Sequence, residues 1–202
     1  MIHDAADAEG LGSEELAEDD YDHADPFEQR SVPAVPRPIN WYLLRSHEAE
    51  EEWLALNRWV DQLRRTYGLP ASVIPPFWYR HWELVWELSA LHTHWLCCYD
   101  PEQDGSGPIA WHSDFALARE RLREWVSICG TRIDLDRPTR QTTWPGEAPQ
   151  GPIEDEVIQD RLADFIQFVA EDAAERQRIE DETLAAAIEV AAAKARTQER
   201  KR

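Results

Sequence analysis

Residues 75–99 read PPFWYRHWELVWELSALHTHWLCCY and carry the strongest structural signal in the chain. The two prolines suit the first turn of a helix, where a backbone N–H is not needed, and the Asp-Pro pair that follows residue 99 ends it. Apolar side chains occupy both sides of this helix: Phe77, Trp78, Val85, Leu88, Trp95 and Tyr99 on one, and Trp82, Trp86, Ala90 and Cys97 on the other. A helix that is apolar nearly all round is normally buried, so this segment is predicted to be the centre of a domain.

The side of this helix that carries Trp82 and Trp86 has two interpretations. It belongs either to the core or to a partner-binding surface, because tryptophan is enriched where interfaces are tightest. Trp86 lies nearer the middle of the helix, and Trp82 lies one turn closer to its start. We therefore expect burial for Trp86 and partial exposure for Trp82, and we treat both as candidate interaction residues.

Two further helices are predicted on either side of this segment. The first is capped by Ser46, ends at Gly68 and presents one apolar face, made of Trp53, Leu56, Val60, Leu63 and Tyr67. The second runs from residue 113 or 114 to Cys129, where Gly130 ends it, with an apolar face of Phe115, Ala118, Leu122, Trp125 and Cys129. Residues 40–44 precede the first helix as either a short helix or an extended strap.

A long, coiled-coil-like amphipathic helix is predicted after Gly151-Pro152. Its apolar stripe consists of Ile158, Leu162, Phe165 and Val169. Such a stripe is too apolar to leave in water, so we expect it to dock on the domain or to mediate self-association. Asp172 and Arg176 interrupt the stripe, and the Ala-rich, charged remainder is expected to be solvated.

The charge divides the chain into three parts. The 202 residues include 40 acidic and 21 basic ones, for a net charge of −19, and all ten tryptophans fall between Trp41 and Trp144. The first thirty residues carry eleven acidic side chains and one basic one, a composition typical of disorder. The prediction is an all-α protein with a disordered acidic tail over residues 1–36, a compact Trp-rich three-helix domain with irregular loops over 37–146, and a linker with the long helix over 147–202.

Composition also excludes several protein classes. No apolar run approaches the ~20 residues that a membrane-spanning helix needs, so no membrane association is expected. The acidic N-terminus lacks the basic and apolar regions of a secretory signal. Three cysteines, an odd number, do not make a disulfide framework, and a reducing cytoplasm is the expected compartment.

Motifs for catalysis and for cofactor binding are missing from the sequence. There is no phosphate-binding glycine loop, no CxxC, no HExxH and no GxSxG. His81 and His92 share a helix face but lie ~16 Å apart along the axis, and His94 points away from His92. His94 with a neighbouring cysteine supplies two ligands at most. No cofactor and no structural metal are therefore expected.

Two alternative functions stay open. A nucleic-acid-associated factor would use the arginines of residues 119–144 with Trp125 and Trp144, although interleaved acidic residues and the net negative charge disfavour contact with phosphates. An enzyme would use His81 with Asp114, which meet only if tertiary packing brings them together.

The tryptophan and histidine spacing resembles that of a known protein family. The run Trp78-Tyr79-Arg80-His81-Trp82-Glu83-Leu84, the run Trp111-His112-Ser113-Asp114 and the segment 139–146 are similar to an uncharacterised actinobacterial family of Trp-rich domains. The resemblance covers residues 39–146. Members are often encoded on plasmids and integrative conjugative elements, so it implies an accessory role in a mobile element and no catalytic residues.

The leading functional hypothesis from the sequence is a cytoplasmic, non-enzymatic interaction protein. The Trp-rich domain would be its structured module, and its protein partner is unknown. The last helix would dock or self-associate through its apolar stripe.

Overall fold

Four α-helices account for most of the chain that the computed structural model describes, residues 36–199. In chain order the elements are α1 (Ser46–Tyr67), a 3-10 helix (Trp78–Arg80), α2 (Trp82–Cys98), α3 (Ser106–Cys129), β1 (Leu135–Asp136), β2 (Glu156–Val157) and α4 (Arg161–Glu199). The predicted all-α fold is confirmed, because the two strands contribute only a short antiparallel ribbon in which Leu135 faces Val157. Disorder is predicted for residues 1–36, and of these the structure describes only residue 36.

The buried face of α1 agrees with the apolar face that the sequence predicts. Trp53, Leu56 and Val60 are buried, and Gly68 adopts a left-handed conformation (φ 59°) that ends the helix. Residues 41–43 before the helix form a turn. Ser46 is the first helical residue and not the cap, and its polar groups bind α4 instead. Its N–H donates to Glu180 Oε1 (2.7 Å), and its hydroxyl donates to a backbone carbonyl of α4 (2.8 Å).

The central helix starts later than the prolines suggest. Residues 75–81 form a turn, a 3-10 helix and one extended residue, His81 (φ −120°, ψ 103°), before α2 begins at Trp82. This arrangement buries three consecutive aromatic side chains, which a continuous helix would spread around its circumference: Phe77, Trp78 and Tyr79. The break also places the His81 side chain in the interior.

The other two helices begin where an aspartate accepts backbone N–H groups. Asp104 accepts from the Ser106 N–H (2.8 Å), so α3 starts at residue 106 and not at 113. Gly107 permits this start, since a Cβ there would lie 2.6 Å from the Cys98 carbonyl oxygen. Asp160 accepts from two N–H groups of the first turn of α4, which therefore begins at residue 161 and not near 151.

One aromatic core joins all four helices. Trp41, Trp53, Trp78 and Trp111 are fully buried, and the Trp41 and Trp53 rings lie 4.2 Å apart between centroids. In addition, α2 packs on α3 and α4 packs on α1. Phe165 and Val169 of α4 belong to the same core as the tryptophans, so the start of the long helix is part of the domain interior.

Candidate functional site

The densest group of titratable side chains surrounds His81 at the start of α2. Its Nε2 lies 2.8 Å from Asp136 Oδ1, and its Nδ1 lies 3.0 Å from Thr139 Oγ1. The Thr139 hydroxyl donates its proton to Glu83 (2.6 Å), so its oxygen accepts from Nδ1 of His81. Asp136 accepts from the other ring nitrogen. The ring therefore donates twice and carries a positive charge.

The pKa of His81 agrees with this hydrogen-bond pattern. Burial disfavours the charged ring, but the hydrogen bond to Asp136 and the nearby Cys129 prevail and raise the pKa of His81 to about 9. His81 and Asp136 are both closed off from solvent. The cluster is therefore a buried ion pair without access for a substrate, and its role in the described chain is to hold the segment around β1 against α2.

A second polar cluster adjoins the first at Arg80. Its guanidinium pairs with both carboxylate oxygens of Asp164 and with Glu156 (2.7 Å). The Tyr79 hydroxyl also donates to Asp164 (2.6 Å), and burial together with this bond raises the pKa of Tyr79. The 3-10 helix is thereby tied to β2 and to the first turn of α4.

The structure does not bring the proposed catalytic pair together. Asp114 lies against His94, with 3.0 Å between its carboxylate and Nε2, whereas the carboxylate beside His81 belongs to Asp136. Sequence reasoning missed Asp136 and Thr139 because they lie 55 and 58 positions from His81 and no local spacing relates them. Their only sequence signal was a position in an irregular, Arg- and Thr-rich segment.

A metal-ligand set exists in the same cluster. Among the residues that the structure describes, His81, Glu83 and Cys129 offer one ligand atom each within 4.8 Å of one another. Zinc accepts all three ligand types. The ring nitrogens of His81 are both donating hydrogen bonds, however, so an ion would have to displace either Thr139 or Asp136.

Purified protein is expected to contain zinc well below one ion per chain, because a doubly hydrogen-bonded, protonated imidazole is not a metal ligand. Elemental analysis after purification without chelator tests this, with Cys97→Ser, outside the cluster, as the control variant. Near-stoichiometric zinc that disappears in Cys129→Ser but persists in Cys97→Ser would contradict the prediction.

The candidate interaction residues of α2 lie at an aromatic surface. Trp82 is 41% exposed and Trp86 is half-buried. The exposed ring of Tyr42 packs on Trp86 with 5.5 Å between centroids, and Trp82 contacts Trp41 at 6.2 Å. Tyr42, Trp82 and Trp86 form what we call the aromatic patch.

The predicted stripe of α4 divides between core and solvent. Phe165 and Val169 are buried, Ile158 is half-buried, and Leu162 is 59% exposed. The stripe thus docks on its own chain through its second half.

The two charged residues that interrupt the stripe extend the contact between α4 and α1. Asp172 accepts from the Trp53 indole N–H (3.0 Å), and Arg176 donates to the carbonyls of Trp41 (2.8 Å) and Leu44 (3.0 Å). The packed region of α4 therefore reaches Glu180, beyond the predicted end at Asp172.

Beyond Glu180 the helix leaves the body of the protein. Residues 181–199, which we call the α4 arm, continue for about 28 Å at the helical rise. Every side chain described in this arm is exposed, including Leu184 (62%) and Ile188 (60%). The arm therefore presents Leu184 and Ile188 to solvent, between charged residues at its two ends.

Three of the six arginines of residues 119–144 pair with carboxylates in the part of the chain that the structure describes. Arg121 pairs with Glu87 (2.6 Å), Arg137 pairs with Asp155, and Arg123 pairs with its neighbour on the same helix, Glu120. Trp144 is exposed and Trp125 is partly exposed. The surface is one of mixed charge, which does not favour binding to a phosphate backbone.

Comparison with models of known protein families, with curated proteins and with solved structures gives no match. Within the described residues no helix combines the length and the apolar character that crossing a membrane requires.

Proposed function

We propose that this protein is a non-enzymatic interaction protein that pairs with a second copy of itself through the α4 arm. The observation that supports this function is the exposed apolar surface of residues 181–199 on a helix whose first half is anchored in the core. The cytoplasm is the proposed compartment, in keeping with three unpaired cysteines. An accessory role in a mobile element is part of the proposal and rests on the family resemblance alone.

One face of the arm suits a helical partner. Leu184, Ile188 and Ala191 follow one another at intervals of four and three residues, so they lie on the same side of the helix. Small alanine side chains at such a face let two helices approach closely, and the two branched residues supply apolar contact. A second helix of the same kind would cover this face.

The charges of the arm favour an antiparallel second copy. Asp181 and Glu182 lie at its start, where Glu182 also pairs with Arg178 of the same helix (2.6 Å), and Lys194 and Arg196 lie near its end. Neither of these two cations pairs with a carboxylate among the residues described. An antiparallel pair centred near Ile188 brings the acidic start of one arm to the basic end of the other, whereas a parallel pair would join like charges.

Reversing the charges at one end is expected to weaken this pairing. Asp181→Lys with Glu182→Lys places cations opposite Arg196 of the second copy and should raise the dimer dissociation constant about tenfold, equivalent to about 1.4 kcal/mol. Lys194→Glu with Arg196→Glu should act in the same way. Sedimentation equilibrium at low salt measures the change, and Glu171→Lys, exposed and outside the arm, is the control.

The four changes combined test the direction of the pair. A chain that carries all four has a basic start and an acidic end, so two such chains should pair again. It should not pair with the wild type, because an antiparallel arrangement would then join like charges. A wild-type chain that stays monomeric at every concentration, or a four-change chain that pairs with the wild type, would contradict the proposal.

The other functional hypotheses have less support. An enzyme centred on His81 would need a path for substrate to a fully buried ring. A nucleic-acid-binding role is disfavoured by the carboxylates that lie among the arginines of residues 119–144. The aromatic patch supports the same class of function as the arm, because exposed tryptophan is a frequent anchor at protein interfaces, and Trp82 and Trp86 stay candidates for contact with a different protein.

A further inference from the structure

We infer that a cavity beside α1 binds a small organic carboxylate with an apolar body. The cavity has a volume of about 390 Å³, which lies within the range of ligand pockets. Its walls are mostly apolar and come from α1, from residues 69–78 and from the loop after α3; the main apolar residues are Val60, Leu69, Ile74, Pro75, Pro76, Trp78 and Ile133. This inference is independent of the α4 arm.

Three charged side chains line the cavity, Asp61, Arg64 and Arg161. Asp61 and Arg64 pair with each other, so the cation that suggests an anionic ligand is Arg161. The guanidinium of Arg161, at the start of α4, is half-buried and donates to the Pro76 carbonyl oxygen (2.9 Å) and to Asn57 Oδ1 (2.6 Å). Both acceptors are neutral. Nη1 of Arg161 has no acceptor, and no carboxylate lies within ion-pair distance of the side chain, among residues 36–199.

The two carboxylates that lie close enough to affect the pKa of Arg161, Asp61 and Asp164, pair with other residues. Asp61 pairs with Arg64 (3.0 Å) and Arg65 (2.9 Å), and Asp164 is held by the second polar cluster. Burial lowers the pKa of Arg161, as expected for a cation that has lost water without gaining a counter-ion. A ligand carboxylate at Nη1 would supply that counter-ion through a charge-assisted hydrogen bond.

Trp78 contributes the surface of its ring to the same wall, but not its N–H. Trp78 is fully buried, and its indole N–H has no hydrogen-bond partner in the described chain. The indole nitrogen is closed off from solvent, so a molecule in the cavity would contact the ring of Trp78 and not its N–H. The Arg161 guanidinium together with the apolar walls fits a molecule with an acidic group and a hydrocarbon or aromatic body, and this combination does not fit an inorganic anion, which has no apolar part.

The chemical class is tested by matched probes on the full-length protein. Isothermal titration calorimetry would compare 3-phenylpropionate with its neutral amide and with inorganic phosphate. The carboxylate is expected to bind about tenfold more tightly than the amide, a difference of about 1.4 kcal/mol, and phosphate is expected to give no saturable heat. Equal affinity for carboxylate and amide, or no binding of the carboxylate at millimolar concentration, would overturn the inference.

Two variants test whether the carboxylate binds in this cavity. Ala71 is a half-buried part of the wall, so Ala71→Trp should fill the space and abolish binding while circular dichroism stays unchanged. Arg161→Gln should remove the preference for the carboxylate over the amide. Arg58→Gln, on an exposed site of α1 outside the cavity, is the matched control and should bind as the wild type does.

Each of the two variants tests the cavity independently of the other. Arg161 also holds Pro76 and Asn57, so its replacement can destabilise the fold; Ala71→Trp leaves those bonds in place and keeps the test decisive. Carboxylate binding that persists unchanged in Ala71→Trp would show that the probe binds elsewhere and would refute the assignment.

Discussion

Replacing Trp53 by alanine is expected to lower the free energy of unfolding by about 3–5 kcal/mol, the range for removal of a large aromatic side chain from a core. Trp53 is fully buried, and its ring lies 4.2 Å from Trp41 and 5.2 Å from Phe168 between centroids. Its indole N–H also donates to Asp172 of α4. The substitution therefore opens a large cavity and removes the bond that joins α1 to the long helix.

Urea unfolding followed by circular dichroism measures this effect. Trp144→Ala is the matched control, because Trp144 is 70% exposed and its loss should change stability by less than about 0.5 kcal/mol. Trp53→Phe should fall between the two, since it keeps much of the apolar volume but not the N–H. Similar stabilities for Trp53→Ala and Trp144→Ala would show that the aromatic core is not organised as described.

Replacing Asp136 by asparagine is expected to cost about 3–5 kcal/mol at neutral pH. The change keeps the shape of the side chain but leaves the His81 ring buried without its main counter-charge. Arg80 lies 3.8 Å from the same carboxylate, so the substitution also removes an acidic neighbour from that cation. Asp134→Asn, at an exposed site in the same segment, should be nearly neutral.

The same ion pair predicts how stability depends on pH. The folded pKa of His81 is about 9, above the value of 6.5 for an unfolded histidine. Its stabilising contribution is therefore complete below about pH 6.5, declines as pH rises, and is lost above about pH 9. At about 1.4 kcal/mol for each pKa unit, the loss across this window is about 3 kcal/mol.

Urea unfolding at several pH values across that window tests this dependence. His81→Gln should lower stability at neutral pH and flatten the decline above it, whereas His112→Gln, at an exposed site, should keep the wild-type slope. The groups that face His81 are Asp136, Glu83 and Cys129, with Arg80 near Asp136. An equal slope in His81→Gln and in the wild type would assign the pH dependence to one of those groups.

Some features of the candidate sites can be predicted from neighbouring residues in the sequence, and others cannot. The partial exposure of Trp82 follows from its place near the start of an apolar helix, and the structure shows the ring 41% exposed. By contrast, the partner of His81 and the cavity around Arg161 are built from segments far apart in sequence. No spacing within one helix predicts such contacts, so these sites became visible only in the fold.

The sequence by itself determined which segments are helical and where two of them end. Apolar residues at intervals of three and four define α1 and α3, and Gly68 and Gly130 end them because each adopts a left-handed backbone that ends a helix. These signals act within a few residues, so they do not depend on what the helix packs against. Tryptophan confined to positions 41–144 likewise indicated the core.

Tertiary structure alone decided where α2 begins and what the polar residues of α2 and α4 do. Asp172 and Arg176 looked like the end of an apolar stripe, yet they bind Trp53 and the carbonyls before α1, more than a hundred positions away. A charged side chain on a helix can be solvated or buried against a partner, and local periodicity does not distinguish these states. The choice depends on whether a distant group supplies the hydrogen bond that offsets the loss of water.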